Sequence, residues 1–177
     1  MSAGCCHNEE FDGTSRAFRR ALWIVIAINA GMFAVEMLAG AAARSQALKA
    51  DALDFIGDAA TYGLSLWVIG RPLIWRANAA LVKAGSLFVM GGFVLALALY
   101  RAFFETEPDA TVMGSIAILA LAANLASVVI LMRWREGDAN VRSVWLCSRN
   151  DAIGNVAVFG SAGLVAFTGT HWPDVIV

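Results

Sequence analysis

The stretch Thr111-Val-Met-Gly-Ser-Ile-Ala-Ile-Leu-Ala-Leu-Ala-Ala-Asn-Leu-Ala-Ser-Val-Val-Ile-Leu-Met132 contains no charged side chain. At 1.5 Å per residue a helix of this length crosses the ~30 Å hydrocarbon layer of a bilayer. Four further runs of similar character cover 21–43, 50–70, 84–104 and 143–168. The chain of 177 residues is 59% hydrophobic and 15% charged, whereas soluble domains are ~45–50% apolar and ~25% charged. A soluble core cannot absorb five such runs, and strands of a barrel would be shorter and alternate in polarity. The expected fold is an all-α integral membrane protein with five transmembrane helices forming one membrane domain at 21–168.

Charge sorts the segments between the runs. Arg16, Arg19 and Arg20 precede the first, Arg71, Arg76 and Lys83 fall between the second and third, and Arg133, Arg135 and Arg142 between the fourth and fifth. The opposite segments hold Arg44 and Lys49, then Glu105, Glu107 and Asp109, then His171 and Asp174. The positive-inside rule therefore predicts a multi-pass protein of the bacterial inner (cell) membrane with a cytoplasmic amino terminus. Residues 1–20 are too polar for a secretory leader and form a tail carrying Cys5, Cys6 and His7. With Cys147, these cysteines make a poor disulfide framework and suit a reducing compartment. Residues 169–177 read as an outer loop entering the first residues of a sixth helix that does not follow, so the chain is expected to be a fragment. A net charge of −1 supplies no basic field for nucleic acid.

Ionisable groups inside a span cost about 2.5–3.5 kcal/mol each on insertion scales and need a partner or a purpose. Span one holds Asn29 and Glu36, span two Asp51, Asp54 and Asp58, and span five Arg149, Asn150, Asp151 and Asn155. Asp54 and Asp58, four apart, stack one turn apart on one helix face, where they repel unless a cation sits between them. Cys147 and Asp151 repeat that spacing, and two such pairs on facing helices supply four sulfur and oxygen ligands. That set suits Zn²⁺ or Cd²⁺ better than Mg²⁺ or Ca²⁺, which prefer all-oxygen shells.

Plainer readings stand beside these. A lone Cys in a span is often a small core residue, and Asp151 can belong to a structural polar network with Asn150. Arg149 lies about 200° around the helix from Asp151 and is not its partner. Asp51 reads best as a solvated residue near the helix start, and Glu36 and Asn29 as structural. Gly31, Gly40, Gly57, Gly63, Gly91 and Gly92 are expected at close helix contacts. Trp23, Trp67, Trp75, Trp134, Trp145 and Trp172 are expected as interfacial anchors. The Cys5-Cys6-His7 cluster can capture metal and hand it inward.

The chain resembles the cation diffusion facilitators over nearly its whole length. The resemblance rests on Asn29-Ala-Gly-Met-Phe-Ala-Val-Glu36 with Gly40, on Ser45-Gln-Ala-Leu-Lys-Ala-Asp-Ala-Leu-Asp54-Phe-Ile-Gly-Asp58, and on Ser148-Arg-Asn-Asp151-Ala-Ile-Gly-Asn155, in this order. It implies a transport site at Asp54, Asp58, Cys147 and Asp151; Asp51, Asn29, Glu36, Asn155, Cys5, Cys6 and His7 stand beside it as secondary candidates read from the residues themselves. Many members have His where Cys147 stands, and the family usually continues into a sixth helix and a cytoplasmic metal-binding domain.

What the resemblance implies is proton-coupled efflux of Zn²⁺, Cd²⁺, Co²⁺, Ni²⁺ or Fe²⁺ by a homodimer in membrane lipid. The metal is cargo, with no resident cofactor and no catalysed reaction. A membrane-embedded, metal-dependent phosphatidyltransferase also spaces aspartates on a helix, but expects a Gly after its second Asp where Phe55 follows Asp54. A non-transporting membrane subunit would use the same polar residues only as glue between helices.

Overall fold

The computed structural model describes residues 11, 13–101 and 109–177, and all of their regular structure is helical. Five long helices follow one another: α1 (Arg16–Ala43), α2 (Gln46–Val68), α3 (Leu73–Arg101), α4 (Ala110–Leu131) and α5 (Ala139–Thr168). A 3₁₀ turn, Met132–Trp134, extends α4, and a short helix α6 (Trp172–Ile176) follows α5. The helix boundaries follow from local chemistry. Ser15, Ser45, Asp109 and Asp138 each accept a hydrogen bond from a backbone N–H in the first turn of α1, α2, α4 and α5 respectively, satisfying donors that a helix start leaves unpaired. Arg44, at φ 57°, closes α1 in the left-handed conformation and turns the chain directly into Ser45 and α2.

In the bundle, α1 packs on α2 and α4, α4 packs on α5, and α5 also touches α2 and α3. Two apolar cores result. At the end where α1 begins, Phe18, Leu22 and Val25 pack with Tyr62, Leu131 and Val144. At the other end, Ala43 and Leu48 pack with Met113, Ala117, Val158 and Val165. A small middle cluster consists of Met32, Phe55 and Ala120, and buried polar residues such as Asn29, Glu36 and Asp58 lie on the same helices as these cores. The outer surface is apolar: Leu81, Phe88, Val89, Phe93 and Leu99 of α3 and Phe167 of α5 are all exposed, as lipid-facing residues must be.

This is an all-α, multi-pass membrane protein. Helix α1, the Leu73–Phe93 part of α3, the Ala110–Trp134 segment and α5 are each long and apolar enough to cross a bilayer. Helix α2 has 23 residues but does not meet that standard of composition, because Lys49, Asp51, Asp54 and Asp58 lie on it. It is shielded instead by contacts with α1, α3 and α5.

The helices keep the expected order but are longer than the apolar runs. Helix α3 begins at Leu73, directly after Pro72, rather than near residue 84. Arg76 and Lys83, expected between spans, are therefore helical. Hydropathy marks only the fully apolar part of a helix, whereas Ala-rich amphipathic turns extend it without raising that signal. Within 169–177, expected as an outer loop entering the first residues of a sixth helix, Trp172–Ile176 form α6.

The glycines divide. A Cβ at Gly40 would lie 3.1 Å from the Lys49 backbone nitrogen and one at Gly57 would lie 3.0 Å from Met90, so both mark close approach. Gly31, Gly63, Gly91 and Gly92 meet nothing within 4 Å, which corrects the expectation that all six serve helix packing.

Candidate functional site

Asp54 and Asp58 project from successive turns of α2 toward α5, where Asp151 meets them. The Asp151 carboxyl lies within hydrogen-bonding reach of both α2 carboxyls. Asp58 is fully buried. One of its oxygens accepts a hydrogen bond from the Tyr62 hydroxyl, which also lies 3.1 Å from Ser148 Oγ on α5. The other oxygen, Oδ1, is buried and accepts no hydrogen bond from an N–H or O–H donor. Cys147, one turn before Asp151 on the same face of α5, is a half-buried free thiol close enough to Asp58 and Asp151 to feel their charge.

Three carboxyls from two helices thus converge between two apolar cores, with no arginine or lysine hydrogen-bonded to any of them among the described residues. Such a set balances its charge by taking up protons or a cation. Among the described residues, no group of three or more His, Cys, Asp or Glu side chains is spaced to hold a metal ion as it stands.

A second acidic pair lies toward the start of α2. Glu36 of α1 is completely buried, and its carboxyl comes within hydrogen-bonding reach of Asp51. Asp51, which sequence favoured as a solvated helix-start residue, lies five residues into α2 and is half-buried, with Oδ2 enclosed. A cleft of about 210 Å³ between α2 and α5 is bordered by Asp51, Asp54, Gly154, Val158 and Val177, connecting this end of the bundle to Asp54. Asn29 gives its amide N–H to Val25 O at 2.8 Å within α1. Asn155 of α5 is buried with both side-chain atoms unpartnered. Neither makes a direct bond to the acidic groups. Cys5, Cys6 and His7 lie outside the described residues.

Residues 76–177, more than half of the chain, match the family model described as the cation efflux transmembrane domain. The chain belongs to the cation efflux family. It is 27% identical to the metal cation efflux system protein CzcD of Cupriavidus metallidurans and to the cation efflux system protein CzcD of an Alcaligenes species, in each case over 98% of this chain and 57% of the relative. It is 23% identical to a cadmium, cobalt and zinc/H(+)-K(+) antiporter of Bacillus velezensis, over 95% of this chain and 58% of the relative. The chain thus spans somewhat more than half the length of the curated relatives it matches.

In this member of the cation efflux family several polar residues were not picked out by sequence. Lys83 is buried on α3 and reaches Ser65, Asn140 and Ser143. Arg76 pairs with Asp138, tying the first turns of α3 to the cap of α5. Asn124 of α4 is buried with both side-chain atoms unpartnered. An Asn alone in an otherwise apolar span was the available signal for that residue. Asp174, read as one of a few scattered outer charges, accepts from Ser45 Oγ at 2.5 Å and from the backbone N–H of Gln46 at 2.7 Å, so α6 caps the start of α2. Arg149 is exposed and covers the Trp145 ring, 5.3 Å from its centroid, as expected of a residue turned away from Asp151.

Proposed function

We propose that this chain carries a divalent transition-metal cation across the membrane, binding it between α2 and α5 with Asp54, Asp58, Cys147 and Asp151 as ligands. The observation that carries the reading is the Asp151 carboxyl on one helix meeting both α2 carboxyls on the other. Two rigid helices that each bring a pair of ligands four residues apart can surround one ion, and small relative movement of the helices opens or closes the shell. The mixture of one thiol with three carboxyls suits Zn²⁺ and Cd²⁺, metals named for the Bacillus relative.

Export is coupled to protons. Carboxylates and a thiolate release metal on protonation, so entry of protons from the outer side drives the ion off there. The cleft beside Asp51 and Asp54 is the outer route, and the arginine-rich end near Arg16, Arg71 and Arg133 faces the cytoplasm. The working unit is a homodimer in the inner membrane.

Zinc uptake into inverted membrane vesicles tests this. Uptake by the wild-type chain should require an outward-facing proton gradient, and its apparent KM for Zn²⁺ should rise as pH falls. The rise should approach about tenfold per pH unit for each proton displaced. Asp54→Ala transporting at the wild-type rate would remove the site from the mechanism.

A further inference from the structure

Lys83 lies on α3 at the end of the bundle where α2 finishes and α5 begins, and it is 2% exposed. Its Nζ contacts Ser65 Oγ at 2.8 Å, Asn140 Oδ1 at 2.9 Å, Asn140 O at 3.3 Å and Ser143 Oγ at 2.5 Å. The hydroxyl protons of both serines are committed elsewhere: Ser65 donates to Thr61 O and Ser143 to Asn140 O. Nζ therefore meets only acceptors, and a group that donates in every direction is an ammonium. A buried cation normally sits against a carboxylate, but this one is held by neutral oxygens.

The nearest fixed negative charge belongs to other parts of the molecule. Ser143 is one turn, about 6 Å along the axis, before Cys147, and Ser65 is about 10 Å beyond Asp58 on α2. Cys147, Asp138 and Asp58 are, in that order, the acidic groups close enough to act on the ammonium, and Asp138 is itself paired with Arg76. The only positive charge completely buried among the described residues thus stands at one end of the acidic column, close enough to act on it and held too firmly to enter it.

We propose that Lys83 is a built-in counter-cation of the metal site, a positioning and affinity-setting residue whose fixed positive charge weakens the hold of the site on a dication. The proposal rests on the metal-site reading above. With its ligands ionised, the site carries more negative charge than a dication offsets, and without an opposing charge the ion would leave slowly. Repulsion between the ammonium and the bound ion raises the energy of the loaded state and speeds release. The neutral cradle matters here, because a carboxylate partner would cancel the field that the site feels.

The test compares full-length wild type with Lys83→Gln, Lys83→Met and Lys83→Arg. Cd²⁺ binding is measured by equilibrium dialysis in detergent, with ions bound elsewhere subtracted using Asp54→Asn/Asp58→Asn. Transport is measured as Cd²⁺ uptake into inverted vesicles. Lys83→Gln should bind Cd²⁺ about tenfold more tightly or more, with KM and kcat falling together, and Lys83→Arg should restore values near wild type. A merely structural tie between α3, α2 and α5 predicts weaker or unchanged binding. Unchanged or weaker Cd²⁺ affinity in folded Lys83→Gln or Lys83→Met overturns the proposal while leaving the metal site standing. Failure of both neutral variants to fold, beside a folded Lys83→Arg, assigns the residue to structure and also overturns it. Absence of subtractable Cd²⁺ binding in the wild type overturns the metal-site reading itself.

Discussion

Tyr62 shows how much of the candidate site is set by single side chains outside the ligand set. Its hydroxyl donates to Asp58 and lies beside Ser148, holding one carboxyl oxygen of Asp58 back while Oδ1 accepts no hydrogen bond from an N–H or O–H donor. The ring itself is part of the apolar core at the α1 start. Removing the hydroxyl alone leaves a buried carboxyl with one donor fewer. Tyr62→Phe should therefore cost about 1–3 kcal/mol of stability, read from the unfolding midpoint in detergent, while the packing of the ring is kept. Asp54 and Asp58 were legible as a pair because a spacing of four residues is a property of any helix. Lys83 was not legible, because its meaning depends on four oxygens that come from two other helices.

At the level of elements, α2 is the long helix that carries the most acidic side chains among the described residues, and its start is secured from a distance. Asp174 caps it from α6, accepting from Ser45 Oγ and from the Gln46 and Ala47 N–H groups. A carboxylate there also opposes the positive end of the helix dipole. Asp174→Ala should lower stability by about 1–3 kcal/mol. Amide hydrogen exchange should rise selectively at Gln46, Ala47 and Leu48, and equal exchange in variant and wild type would show that α2 does not depend on the cap. The close approach of α1 at Gly40 acts on the same turn of α2. The order and approximate extent of the long helices could be read from hydropathy, but the early start of α3 could not, since its first turns are amphipathic.

For the whole molecule, the two ends of the bundle differ in charge. Arginines gather where α1 and α5 begin and where α2 ends, and the Arg71 guanidinium lies 4.7 Å from the Trp67 ring centroid, an arrangement suited to the membrane interface. The opposite end carries Asp109, Asp174 and the cleft leading to Asp54. Cysteine labelling with a membrane-impermeant maleimide in whole cells, in a background with Cys5, Cys6 and Cys147 replaced by serine, checks the orientation. A cysteine at Thr170 should label and one at Glu136 should not, and the reverse pattern would invert the path proposed for the metal.

Length, composition and periodicity were enough to establish a multi-pass helical membrane protein and to pick out the two helices that carry candidate ligand pairs four residues apart. These are local properties: how far a run of apolar residues extends, and which residues share one face of one helix. Only the tertiary structure decided that Asp151 reaches both α2 aspartates, that Glu36 meets Asp51, and that Asp174 bonds Ser45 across 129 residues of chain. Those contacts depend on how each helix is rotated and displaced against its neighbours. In a bundle whose helices are apolar around most of their circumference, polarity alone specifies neither.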